Sequence, residues 1–211
     1  VRITNGRGSL LKKNWFVLIG LLLLAGVISG CNVSEASGRT TVKLNENSEY
    51  VKTFKDLHLG EVLDFDLTWA DADETEVTIW TEQYKDGKMG TEQAGGISFS
   101  ESPEKSEKGH LGMGIVHYDE KKAIVVVYGP GVSGKSEEIE LDYSGSAYGW
   151  EKAVDAEKIE LELGKTYILG AYRISKDSHI QSYNLKDKNE VEKMIKEDRT
   201  GFLLKVKTEK K

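Results

Sequence analysis

The residues Gly129-Pro130-Gly131-Val132-Ser133-Gly134-Lys135-Ser136 satisfy the phosphate-loop pattern G-x-x-x-x-G-K-[ST], and they follow an apolar run, residues 123–128, that reads as a strand. The pattern cradles phosphates only where a helix begins at the lysine and aims its N-terminal amides at the anion. Here Glu137 to Tyr143 alternates acidic and apolar residues, which predicts a strand and places two glutamates where phosphate would lie. Residues 129–136 are therefore read as a Gly/Ser hairpin loop, and nucleotide binding there is disfavoured.

Other residue types that carry chemistry are sparse. Of the four histidines, His110 and His117 share one predicted strand, but a separation of seven puts them on opposite faces, so they cannot share a metal. Neither HExxH, CxxC nor G-x-S-x-G occurs. Asp71, Asp73, Glu74 and Glu76 supply hard oxygen ligands between two strands, without the glycine and ligand spacing of a dedicated calcium loop. They are read as a solvated turn, and no metal or cofactor is expected. Tyr143, Tyr148 and Trp150 gather among small residues, a composition suited to stacking or partner recognition, although Tyr148 and Trp150 are expected to tuck into the edge of the fold. No catalytic residue is assigned.

The elements that must position these residues are strands. Leu63, Phe65, Leu67 and Trp69 alternate with polar residues, as do Val77 and Ile79, then Leu111, Met113 and Ile115, then Ile139, Leu141 and Tyr143, and finally Ile159, Leu161 and Leu163. Residues 123–128 and 166–174 are apolar on both faces, as in central strands. Asp86-Gly87 predicts a tight hairpin turn. One helix is expected near the C-terminus, where Asp187-x-x-Glu190 forms a capping box ahead of Val191, Met194 and Ile195, followed by a last strand from Gly201. The fold class is all-β, an antiparallel β-sandwich with one short C-terminal helix.

The first thirty residues read as an address. Arg2, Arg7, Lys12 and Lys13 precede the apolar run 15–28, and residues 1–30 contain no acid. Fourteen residues span about 21 Å as a helix, short of a bilayer core about 30 Å thick. A basic n-region and a run of this length fit a signal peptide. The run ends in Ile28-Ser29-Gly30-Cys31, which resembles the lipobox of bacterial lipoproteins. The resemblance covers residues 1–31 only. It implies cleavage between Gly30 and Cys31, and a diacylglycerol thioether on Cys31, the chain's one cysteine. Two acyl chains anchor stably where one holds marginally, at about 0.8 kcal/mol per buried CH₂.

The expected organisation is a lipoprotein signal peptide over 1–30, a flexible tether over 31–48 and a β-sandwich domain over 49–211. The tether is polar and reaches about 23 Å as a coil. The chain of 211 residues carries a net charge of −6, and removal of a leader with four basic and no acidic residues takes this to −10. Such a chain has no basic excess for nucleic acid. The expected protein is lipid-anchored on the outer face of the cell membrane, and 24 Lys against 5 Arg lean toward a Gram-positive source. It is expected to act by binding, with an envelope protein or wall polymer as partner. An envelope-component hydrolase and a surface exclusion or immunity lipoprotein are the alternatives.

Overall fold

The computed structural model describes residues 38–100, 102–136 and 138–211, without the side chains of residues 91–93. The signal peptide 1–30, the lipobox residues Gly30 and Cys31, and the tether as far as residue 37 lie outside the described residues. The contacts separate Val1–Ala36 from the unit Ser37–Lys211, to which the following description belongs.

Period-two alternation generates the strands. β1 spans Thr41–Leu44, β2 Gly60–Ala70, β3 Thr75–Lys85, β4 Lys88–Phe99, β5 Ser106–His117, β6 Lys122–Gly129 and β7 Val132–Lys135. They are followed by β8 (Ile139–Glu140), β9 (Tyr148–Lys152), β10 (Ile159–Glu160), β11 (Thr166–Ser175) and β12 (Asp198–Lys210). One sheet runs β10-β1-β2-β5-β6-β7, with β8 also on β6; the other runs β4-β3-β12-β11-β9. All recorded pairings are antiparallel, and the two sheets form the sandwich. Leu63, Phe65, Leu67 and Trp69 lie beside Leu111, Met113, Ile115 and Val125 on the inner face of the first sheet, in a core shared with Ile79, Leu169, Phe202 and Leu204 of the second. Each fully buried side chain of this kind contributes about 1.5–3 kcal/mol. At the β3–β4 hairpin, Asp86 and Gly87 have φ of 48° and 80°, the left-handed pair that a two-residue turn of type I′ requires.

Two helices lie on the outer faces. α1 (Glu49–Asp56) packs against β2, and α2 (Lys188–Glu197) begins at Asp187, whose carboxylate accepts from the amide of Asn189. Under α2, Val191 and Met194 cover Ala171 and Leu203 in a second apolar cluster, which is why β11 is apolar on both faces. Among the described residues no helix is long and apolar enough to cross a membrane.

Several expectations are corrected. The tether does not run to Ser48: Thr41–Leu44 is a strand paired with both β2 and β10, because Val42 and Leu44 alternate with polar residues and both enter the core. The sandwich therefore starts before residue 49. A second helix, α1, was not expected. The alternating stretches at 139–143 and 159–163 yield only the two-residue strands β8 and β10, although Leu141 and Leu161 are still buried.

Candidate functional site

The hydrophobic core runs out at one end of the sandwich. Along β2 the core-facing positions read Trp69, Leu67, Phe65 and Leu63, and the next is Glu61; along β5 they read Leu111, Met113 and Ile115, and the next is His117. Glu61 pairs in register with Ile115, two residues from His117. Antiparallel pairing thus brings a carboxylate and an imidazole to the same mouth of the sandwich, just beyond the core-facing apolar residues of 63–69 and 111–115.

The opposite sheet answers with aromatic rings. Tyr172 of β11 is fully buried and pairs in register with Trp150 of β9, their ring centroids 5.1 Å apart. Tyr143 lies between the sheets, 4.8 Å from the ring of Tyr148 and 5.5 Å from that of His117. Its hydroxyl is 2.9 Å from His117 Nε2 and 3.2 Å from the Tyr172 hydroxyl. Burial lowers the His117 pKa below its usual 6.5, against the opposing pull of Glu61. Burial likewise pushes Tyr143 up to about 12, and holds Tyr172 above the ordinary tyrosine range with the help of Tyr143 and Glu61. All three are therefore neutral at pH 7. The Tyr143 hydroxyl thus bridges His117 Nε2 and the Tyr172 hydroxyl, with the donor in each pair set by the imidazole tautomer.

A cleft of about 430 Å³ opens onto this cluster, lined by Glu61, His117 and Tyr148 and by Phe54, Lys55 and His58 from the end of α1. Its size falls in the range of small-ligand sites, about 300–1,000 Å³. Phe54 and Val62 also line a second cleft of about 420 Å³ on the far side of α1, with Tyr50 and Tyr128. α1 is thus the shared wall of two clefts.

Its position is set by an anchor on the outer face of β2. Asp64 is buried there, accepting from Ser48 Oγ at 2.6 Å and Tyr128 Oη at 2.8 Å, with His110 Nδ1 at 3.1 Å. Ser48 is also the N-cap of α1, accepting from the amides of Tyr50 and Val51. Tyr128 crosses β5 to reach Asp64 over Gly112, where a Cβ would lie 2.5 Å from the Tyr128 hydroxyl. Ser48, Asp64 and His110 share a composition with hydrolytic triads. Their geometry is different, because Ser48 donates to the carboxylate and no contact with the imidazole activates it. The trio is an anchor.

At its other end α1 stops in a Schellman motif. Leu59 N donates to Phe54 O and His58 N to Lys55 O, with His58 in the left-handed region at φ 52°. The turn that delivers Glu61 to the mouth also needs Gly60, at φ 136°, where a Cβ would strike Ile115 O.

The residues singled out from sequence are placed as follows. Residues 129–136 form the β6–β7 hairpin with Lys135 in a strand, so no helix begins at the lysine. His110 and His117 lie on opposite faces, as expected. Asp71, Asp73 and Glu74 form the β2–β3 turn, closed by the amides of Glu74 and Thr75 on the Asp71 carbonyl. Among the described residues no group of three or more His, Cys, Asp or Glu could hold a metal ion. Trp150 packs against the core, but Tyr148 is 50% exposed at the cleft, contrary to the expectation that both would tuck into the edge. Glu61, His58 and the Ser48–Asp64 anchor were not foreseen; the signal available for Glu61 and His117 was a polar residue continuing an otherwise apolar alternation at the same end of two paired strands.

No arrangement in the cleft identifies a reaction. No family model, curated protein or solved structure matches the chain. The site stands on its own geometry.

Proposed function

We propose that the chain is a bacterial lipoprotein, held by acylated Cys31 on the outer face of the cell membrane, whose β-sandwich acts as a binding module through the mouth beside α1. The observation that carries the binding reading is the cleft lined by Glu61, His117 and Tyr148, a preformed concavity that joins an exposed ring to a polar floor. A glycoside hydrolase of the two-carboxylate type would bring two carboxylates together there. Among the described residues Glu61 is the one carboxylate lining the cleft. The partner class that fits an outward-facing anchored module is an envelope protein or wall polymer.

The anchor is tested by feeding cells an alkyne-tagged fatty acid and comparing the wild type with Cys31→Ala. The wild type is expected to carry the tag and fractionate with the membrane, and the variant to lose the tag and accumulate as precursor. Equal membrane association and processing in the two would contradict the anchor. The binding module is tested by Tyr148→Ala, which is expected to leave anchoring intact and reduce the partner cross-linked in cells.

A further inference from the structure

Glu61 is half-buried on the core-facing side of β2, and among the described residues no donor hydrogen bonds to its carboxylate and no cation forms an ion pair with it. The charge of Glu61 acts on His117 of the paired strand and on Tyr143 and Tyr172 across the mouth, all neutral at pH 7. Lys55 lines the same cleft from the last turn of α1, where it complements the helix dipole, but it is exposed and does not pair with Glu61. A half-buried carboxylate without a partner is costly. The cleft also offers an aromatic wall, with Tyr148 half exposed and braced edge-on by Tyr143. An uncompensated carboxylate lining the same cleft as a half-exposed aromatic ring suits an organic cation, since the ring quadrupole and the carboxylate attract the same charge.

Resting on the binding reading above, we propose that the mouth of the sandwich takes an alkylammonium group, with Glu61 as counter-ion and Tyr148 as the stacking surface. The group could belong to a small amine or to a lysine side chain of a protein partner; both present the same chemistry to the cleft.

The test is a titration of the full-length protein in detergent, read by NMR of the tyrosine and histidine rings. The probes are n-butylammonium, acetyl-Gly-Lys-Gly-amide, n-butanol as neutral isostere, and acetate. Saturable shifts at Tyr148 and His117 are expected with the two ammonium probes only. A tighter fit for the peptide assigns the site to a protein lysine, and a tighter fit for n-butylammonium assigns it to a small amine. Glu61→Gln is expected to weaken ammonium binding about tenfold and Tyr148→Ala about fivefold. Asp73→Asn, at the opposite end of β2, should have no effect. Shifts with n-butanol or acetate equal to those with n-butylammonium would overturn the charge assignment while leaving the mouth a binding site. No shift with any probe, together with no partner lost on Tyr148→Ala in cells, would overturn both readings.

Discussion

Gly112 shows how a single missing side chain positions the outer face of β5. A Cβ there would lie 2.2 Å from Leu63 O and 2.5 Å from the Tyr128 hydroxyl. Gly112→Ala is therefore expected to destabilise the domain by about 2–4 kcal/mol, through backbone displacement and loss of the Tyr128–Asp64 hydrogen bond. Urea denaturation reads this directly, and a loss under 0.5 kcal/mol, about the scatter of neutral surface changes, would contradict it. At the mouth, His117 carries a pH dependence of known sign. Burial lowers its pKa in the folded state below 6.5, so between that lowered value and 6.5 the unfolded chain binds a proton that the folded chain does not. The stability associated with neutral His117 is thus complete above 6.5 and is lost as pH falls through that window. An NMR titration should place the His117 midpoint below 6.5, and the stability advantage of wild type over His117→Gln should narrow from pH 7 to pH 5. A midpoint at or above 6.5 would contradict the buried neutral ring.

At the scale of elements, α1 is the wall on which the site depends, and its two ends explain why it escaped the sequence reading. The helix has eight residues, and it ends at His58 in the left-handed region, where a glycine would have marked the stop. Ser48 does cap its start, but the segment's polar composition and its place beyond an apparent tether hid the signal. The helix is held from both directions, by Ser48 on Asp64 and by Phe54 against Val62 and Gly114. Ser48→Ala removes the cap of two amides together with a donor to a buried carboxylate, and should cost about 1–3 kcal/mol by chemical denaturation. His58→Gly relieves a left-handed residue and should stabilise the fold by about 0.5–1 kcal/mol. On the other sheet, buried Arg173 donates to Asp198 through Nε and Nη2, and to Glu151 and the Gln181 carbonyl through Nη1, with the Tyr183 ring 4.6 Å away. This network pins the segment between β11 and α2. The strands with long alternation, β2, β3 and β5, were legible because each buries one face. β1 was not, since two apolar residues in a polar stretch acquire meaning only from strands far along the chain. Of the mouth, only the aromatic composition at 143–150 is legible as suited to stacking; His117 reads merely as lying opposite His110, and the convergence of these residues with Glu61 depends on the β2–β5 register and the opposing sheet.

For the whole molecule, the two sheets of the sandwich and α1 together form the mouth, and the lipid proposed on Cys31 would tether the chain to the membrane. The charge matters at this scale. With the leader removed as proposed, the chain carries a net charge of −10, so among envelope proteins and wall polymers a partner that presents cationic groups is the electrostatically matched one, in keeping with an unpaired Glu61 at the cleft. Such association should weaken as salt rises from 50 mM toward 500 mM. The most direct measurement of the central claim places a photo-crosslinking phenylalanine derivative, which keeps an aromatic ring in place of Tyr148, at position 148 in the anchored protein in living cells, with position 163 as control, because Leu163 is similarly exposed but lies outside the mouth. A discrete adduct formed from position 148, absent from position 163 and lost on Glu61→Gln, is the result expected of a binding module that uses the mouth of its sandwich. Adducts of the same pattern from both positions, or none from position 148, would contradict it.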